Sequence, residues 1–188
     1  GVTSGTRNGW LTLAGEQYQH ERIGDVRLRI SPTSFFQANV ERARAVHELL
    51  LDLLDLQPHT RLLDAFCGVG TFVLPLAKFV GQAHGIEEHP AAIKDAHASA
   101  KTHGISNVTF ATGKVEQILP KLDQQFDVVL LDPPRRGLER AATDAILRSQ
   151  PATIAYVSCH PGTLARDVRL LNEGGYTVTY AQAHDFFP

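Results

Sequence analysis

The chain has 188 residues, 43% hydrophobic and 20% charged, with a net charge of −2. That length accommodates one domain with a real core, and the composition excludes a disordered chain. A slightly acidic balance is not the electrostatic footprint of a nucleic-acid binder, and it counts against an RNA partner unless basic surface lies elsewhere.

Residues 1–34 read as an N-terminal β hairpin and linker segment. Arg7-Asn8-Gly9 is a hairpin-turn signal before Trp10-Leu11-Thr12-Leu13. Val26-Arg27-Leu28-Arg29-Ile30 alternates with period two, as a half-buried strand does. From residue 35 to 188 the pattern becomes α/β. Val40, Ala43, Val46, Leu50, Leu53 and Leu54 fall at helical spacing, and Pro58 is expected to close that helix. Strands are predicted at Leu62–Phe66, Ala83–Glu87, Val108–Ala111, Phe126–Asp132, Ile154–Ser158 and Tyr176–Ala181, with helices between them. One helix opens at Pro90 and ends by Gly104; another starts near Pro161 and stops at Asn172-Glu173-Gly174-Gly175. Alternating β and α predicts a doubly wound, mostly parallel sheet.

No apolar run approaches a membrane span, and no signal-peptide pattern opens the chain. Cys67 and Cys159 make no disulfide framework. If they end strands separated by a third, they stand about 10 Å apart, from a strand spacing of about 4.8 Å, beyond the reach of a disulfide. A reduced, cytoplasmic protein is the expectation. The apolar ending Asp185-Phe186-Phe187-Pro188 suggests a piece of a longer chain.

Four strand-like runs end in chemistry-bearing residues. Asp64-Ala65-Phe66-Cys67-Gly68-Val69-Gly70 places glycines between a strand and a helix, where backbone N–H groups favour an anionic ligand. The third glycine of the dinucleotide fingerprint is missing, since Val73 stands in its place. A tight turn alone would account for the pair. Glu87 ends the second strand, where an acid can accept both hydroxyls of a ribose. Asp132-Pro133-Pro134-Arg135 stops a strand and stiffens the following loop, holding a carboxylate at the crevice. Arg135 suits a phosphate, though a plain surface position fits it as well. Cys159 precedes a helix start, which favours a thiolate over a buried, inert thiol. The nine histidines show no metal-ligand spacing with the cysteines, and no metal is expected.

Together with Ser34-Phe35-Phe36-Gln37-Ala38-Asn39 and Val157-Ser158-Cys159-His160-Pro161-Gly162-Thr163-Leu164-Ala165-Arg166-Asp167, these motifs resemble the RNA 5-methyluridine methyltransferase family. The resemblance covers nearly the whole chain. It implies a Rossmann-like class I methyltransferase domain that uses S-adenosylmethionine on an RNA substrate. The Thr163–Asp167 continuation is closer to the 23S ribosomal RNA branch than to the transfer RNA branch. By the same resemblance, Gln37, Phe66, Gly68, Gly70 and Glu87 contact the cofactor. Asp132 contacts both uracil and the methyl-donor site, Phe35 stacks on the target base, and Cys159 is the nucleophile.

The chain departs from the family in three places. His160 stands where the family usually has Asn. The family's general base, a glutamate in a His-x-Glu segment beyond the Phe-Pro motif, is not in this sequence. Nor are the RNA-binding β-barrel and four-cysteine iron–sulfur cluster that many members carry at the N-terminus. Two other classes remain open: a nicotinamide-dependent oxidoreductase on the same fold and a non-catalytic S-adenosylmethionine-binding module. An RNA 5-methylcytosine methyltransferase, a near relative in mechanism, ranks lower, because it typically has Pro-Cys where this chain has Pro134-Arg135.

Overall fold

The computed structural model describes residues 2–6 and 9–186. The turn residues Arg7 and Asn8 lie outside that set, but strands β1 (Val2–Thr6) and β2 (Gly9–Ala14) flank them as an antiparallel pair. A second antiparallel pair follows, β3 (Gln19–Ile23) and β4 (Val26–Ile30). As the period-two pattern requires, Val26, Leu28 and Ile30 point inward and Arg27 outward.

Helix α1 (Val40–Leu53) is capped by Asn39, whose Oδ1 accepts from the Arg42 N–H at 3.1 Å. It stops before Pro58, because Asp55 turns left-handed at φ 41°. The α/β body then runs β5 (Arg61–Asp64), α2 (Val73–Leu76), β6 (Gln82–Glu87), α3 (Pro90–Thr102), β7 (Val108–Thr112), α4 (Val115–Ile118), β8 (Val128–Leu131), α5 (Arg140–Ser149), β9 (Thr153–Tyr156) and α6 (Pro161–Glu173). Its five strands are all parallel, in the order β7-β6-β5-β8-β9. The chain builds outward from β5 to β7, then returns to lay β8 on the other side of β5. The crevice of such a sheet opens at this reversal, beyond the carboxyl ends of the strands.

Burial follows the strand period. Leu62 and Leu130 face a core shared with Ile23, Val26 and Leu28 of the second hairpin and with Ala43 and Val46 of α1. Leu63, Val129 and Leu131 face the opposite core, with Ala142 and Ile146 of α5. A central parallel strand covered on both faces must be apolar throughout, and β8 is. No helix among the described residues is long and apolar enough to cross a membrane.

One predicted strand is corrected. Residues 176–181 form no ladder, and all but Tyr176 are exposed. Their composition suits a strand, but a strand exists only beside a partner. The Tyr176 N–H goes instead to the Leu171 carbonyl, at 3.1 Å, in the turn that closes α6.

Asp95 on α3 is buried and fixes the exit of β4. Its carboxylate accepts from Arg29 Nε at 2.8 Å, from the Ser31 N–H and hydroxyl at 2.8 Å each, and from the Ser34 hydroxyl at 2.7 Å. Replacing Asp95 with Ala strands all four donors around a void. The expected loss is about 3 kcal/mol of unfolding free energy, read by urea denaturation.

Candidate active site at the carboxyl edge of the sheet

Strands β5, β6, β8 and β9 deliver their exits to one edge. After β5, Gly68 adopts φ +54°, and a Cβ there would meet nothing within 4 Å. The backbone angle demands glycine, and the position faces open space. Gly70 at φ +88° is also confined, since a Cβ would approach Leu74 to 2.6 Å. Glu87 at the end of β6 braces this loop. Its Oε2 accepts from the Gly68 N–H at 3.1 Å and its Oε1 from the His89 N–H at 2.8 Å. A carboxylate offers about four acceptor sites, so roughly two remain for a ligand. Phe66 is half-buried against the core on the α5 face.

Asp64 and Asp132 meet at the bottom of the crevice. The register pairs Asp64 with Leu130, so Asp132 leaves β8 just beyond it. Asp64 is 1% exposed; its Oδ2 is buried with no hydrogen-bond partner among the described residues. Burial pushes its carboxyl up to about 8, and the neighbouring Asp132 charge adds to the shift. Burial likewise lifts Asp132 to about 6, against the opposing pull of a hydrogen bond from Gln37. Gln37 Nε2 donates to Asp132 Oδ2 at 3.1 Å, joining groups 95 residues apart in the chain.

Cys159 is exposed between β9 and α6. Its strand exit is beside that of Asp132: the Val157 N–H donates to the Leu131 carbonyl at 2.7 Å. His160 caps α6, its Nδ1 accepting from the Thr163 N–H at 3.2 Å. The histidine thus provides the cap that an asparagine would supply at this position. Cys67, by contrast, is buried, and burial pushes its thiol well up. With β8 lying between β5 and β9, both cysteines are free.

Two of the residues singled out in the sequence stay at the rim. Phe35 is 76% exposed. Arg135 is exposed as well; its carbonyl accepts from the Thr163 hydroxyl at 3.1 Å.

Sequence reasoning missed Asp167, buried on α6. Its Oδ2 accepts from the Tyr156 hydroxyl at 2.7 Å and the Leu138 N–H at 2.8 Å, and its Oδ1 from Arg166 Nε at 2.8 Å. Arg166 in turn donates to the carbonyls of Arg136 and Leu138. One carboxylate therefore ties the loop after Asp132 to the helix after Cys159. Gly137, at φ +73°, permits the contact, because a Cβ there would collide with Asp167 Oδ2. The signal was present: Asp167 lies on the same helical face as Leu164 and Leu171. Asp64, an acid closing an apolar strand, was equally visible and was given no role.

The glycine loop, the acid that ends β6, and the acid–amide pair beside an exposed thiol make this a Rossmann-like domain with a ligand crevice at its switch point. Residues 56–186 match the methyltransferase-domain family, and the chain belongs to it. An uncharacterized RNA methyltransferase of Nostoc sp. is 46% identical over 177 residues, covering 94% of this chain and 38% of that protein. One from Thermosynechococcus vestitus is 45% identical, covering 94% and 39%. The tRNA (uracil-54, C5)-methyltransferase of Pyrococcus abyssi, solved in complex with S-adenosyl-L-homocysteine, superposes with a TM-score of 0.80 at 33% identity, over 93% of this chain and 42% of that one. The chain thus spans about two fifths of the length of these relatives.

Brief iodoacetamide treatment should label Cys159 and spare Cys67 until the protein is unfolded, as read by peptide mapping. Equal labelling would contradict the burial of Cys67.

The Asp64 shift also sets a pH dependence. Its folded carboxyl holds the proton to higher pH than the unfolded one, so the unfolded state binds fewer protons between about pH 4 and 8, and stability falls as pH rises through that window. Asp64→Asn should flatten this decline, and urea unfolding near pH 5 and near pH 8 should show a smaller difference in the variant than in the native protein.

Proposed function

We propose that this chain carries the active centre of an RNA methyltransferase that methylates C5 of a uridine through a covalent bond between Cys159 Sγ and C6 of the base. The observation that carries this reading is the adjacency of exposed Cys159 and the Gln37–Asp132 pair at the exits of neighbouring strands. It is supported by the relatives described as RNA methyltransferases and by the Pyrococcus abyssi structure, an enzyme of uracil C5.

The residues fit a cofactor of the S-adenosylmethionine kind. Gly68 leaves open space at the loop, Glu87 keeps acceptor sites for ribose hydroxyls, and Asp64 has an unpartnered buried oxygen. When bound, S-adenosylmethionine supplies an electrophilic methyl group. Gly70 and Phe66 complete its cradle, with Gln37 and Asp132 on the side facing the base. Phe35, projecting from the rim, stacks on the uracil, and Arg135 meets a phosphate.

The nucleophile is needed because uracil C5 is a poor carbon nucleophile. The Cys159 thiolate adds to C6, and the electron pair of the C5–C6 double bond moves into an enolate. That enolate carries enough charge at C5 to take up the methyl group. A base then removes the C5 proton, the C5–C6 double bond re-forms, and the thiolate leaves. One difficult step becomes several easier ones. A uridine in a folded RNA must first leave its stack to reach the crevice.

Among RNAs, the Thr163–Asp167 segment favours 23S ribosomal RNA. Transfer RNA is the second reading, favoured by the substrate of the Pyrococcus abyssi enzyme. Nucleoside mapping of both RNA classes after incubation separates the two.

With uridine-containing RNA and S-adenosylmethionine, a denaturing gel should reveal an RNA–protein adduct that Cys159→Ser abolishes, and mass spectrometry of the digested adduct should find a methylated uracil joined to the Cys159 peptide. Formation of 5-methyluridine by the Cys159→Ser variant would overturn the mechanism. Glu87→Ala should weaken S-adenosylmethionine binding about ten- to hundredfold by calorimetry, from the loss of hydrogen bonds worth about 1–3 kcal/mol. Tight NAD binding would overturn the cofactor assignment.

A further inference from the structure

The β3–β4 hairpin turns an almost wholly basic face to solvent. With Ile23, Val26 and Leu28 inside, the alternating outer positions are His20, Arg22, Arg27 and Arg29. Arg29 is neutralised by Asp95, and its guanidinium lies 4.4 Å from the centre of the Tyr18 ring. Arg22 and Arg27 are not neutralised. They stand directly opposite each other in the ladder, and neither forms an ion pair among the described residues. Like charges in that relation destabilise a hairpin unless an anion lies between them. Arg44 of α1 joins them, its Nε donating to the Arg22 carbonyl at 2.8 Å. His103, just past α3, accepts from the Arg27 N–H at 2.9 Å. With Glu21 these residues line an open cleft of about 460 Å³. Three arginines there face one glutamate, on a chain whose net charge is −2.

We propose that this cleft holds the phosphodiester backbone of the RNA substrate, at a point remote from the target base. The inference rests on the RNA reading above and adds a second place where the RNA is gripped. Guanidinium forks match phosphate oxygens in pairs, and arginine sheds its water more readily than lysine. Because the chain as a whole is net negative, a polyanion is drawn to this basic face in preference to the average surface.

The cleft is also mechanically joined to the active site. Strand β4 runs from it into Ser31 and Ser34, which Asp95 clamps, and on to Phe35 and Gln37. The 13-residue helix α3 separates His103 from His89 beside Glu87, a length of about 20 Å at 1.5 Å per residue. A folded RNA spans that distance and a single nucleotide does not. The cleft therefore selects for RNA over free uridine nucleotides.

The test is RNA affinity measured by fluorescence anisotropy across a salt series, without S-adenosylmethionine, so that binding is read apart from methyl transfer. The R22A/R27A variant should bind a structured uridine-containing RNA about tenfold or more weakly. Its plot of log affinity against log salt should be shallower by about two, one for each phosphate no longer neutralised. R148A/R169A, which removes the same charge from α5 and α6, should leave both unchanged. R22K/R27K should recover the slope, and melting curves should match throughout because Arg22 and Arg27 are exposed. An unchanged slope in R22A/R27A, or an equal change in the control pair, overturns the proposal. So does arginine-dependent capture of polyglutamate without capture of RNA. If the RNA binding depends on Arg22 and Arg27 but the native protein forms neither adduct nor 5-methyluridine, the cleft stands and the reading of Cys159 falls.

Discussion

The register between β5 and β8 places two carboxyl groups at one edge, Asp64 buried and Asp132 half-buried. The strands cannot slip by one residue to relieve this, because a slip would turn Leu62, Leu63, Val129 and Leu130 onto the wrong faces of a sheet buried on both sides. The core therefore imposes the electrostatics of the site. Two neighbouring acids there do not both ionise at low cost. Asp64, the deeper, retains its proton to about 8, whereas Asp132, hydrogen-bonded by Gln37, gives its proton up near 6. Around neutrality, one acid is neutral and the other charged, at the place where a sulfonium cation and a uracil would meet.

Each loop of the site is held from behind by a carboxylate. Glu87 holds the glycine loop, Asp95 the segment leading to Gln37, and Asp167 the two loops that carry Arg135 and Cys159. The tips Phe35, Arg135 and Cys159 are exposed. This division suits a site that must accept a large polymer without losing its geometry. The backbone is held because buried acids have collected its donors, and the side chains at the rim stay free to adapt.

Much of this could be read from the chain in advance. The strand-terminating residues Gly68, Glu87, Asp132 and Cys159 were legible because a doubly wound sheet sends every strand exit to one edge, so position in sequence becomes position in space. Gln37 was legible only through the Ser34–Asn39 motif, since nothing local links it to a residue 95 positions away. Asp95 and Asp167 stayed hidden for a different reason. An acid on the buried face of a helix looks like an error in an amphipathic pattern until its donors, on distant segments, are known. The strand expected at 176–181 failed because composition reports the tendency to extend, whereas a ladder needs a neighbour.

The cap of α6 has one further consequence. His160 accepts the Thr163 N–H through Nδ1, so the neutral ring carries its own proton on Nε2. An asparagine in that place would cap the helix through a carbonyl oxygen and would carry no ring. The substitution therefore sets a flat imidazole of fixed tautomer next to the exposed thiol of Cys159, a group of different size and hydrogen-bonding direction from the amide it replaces.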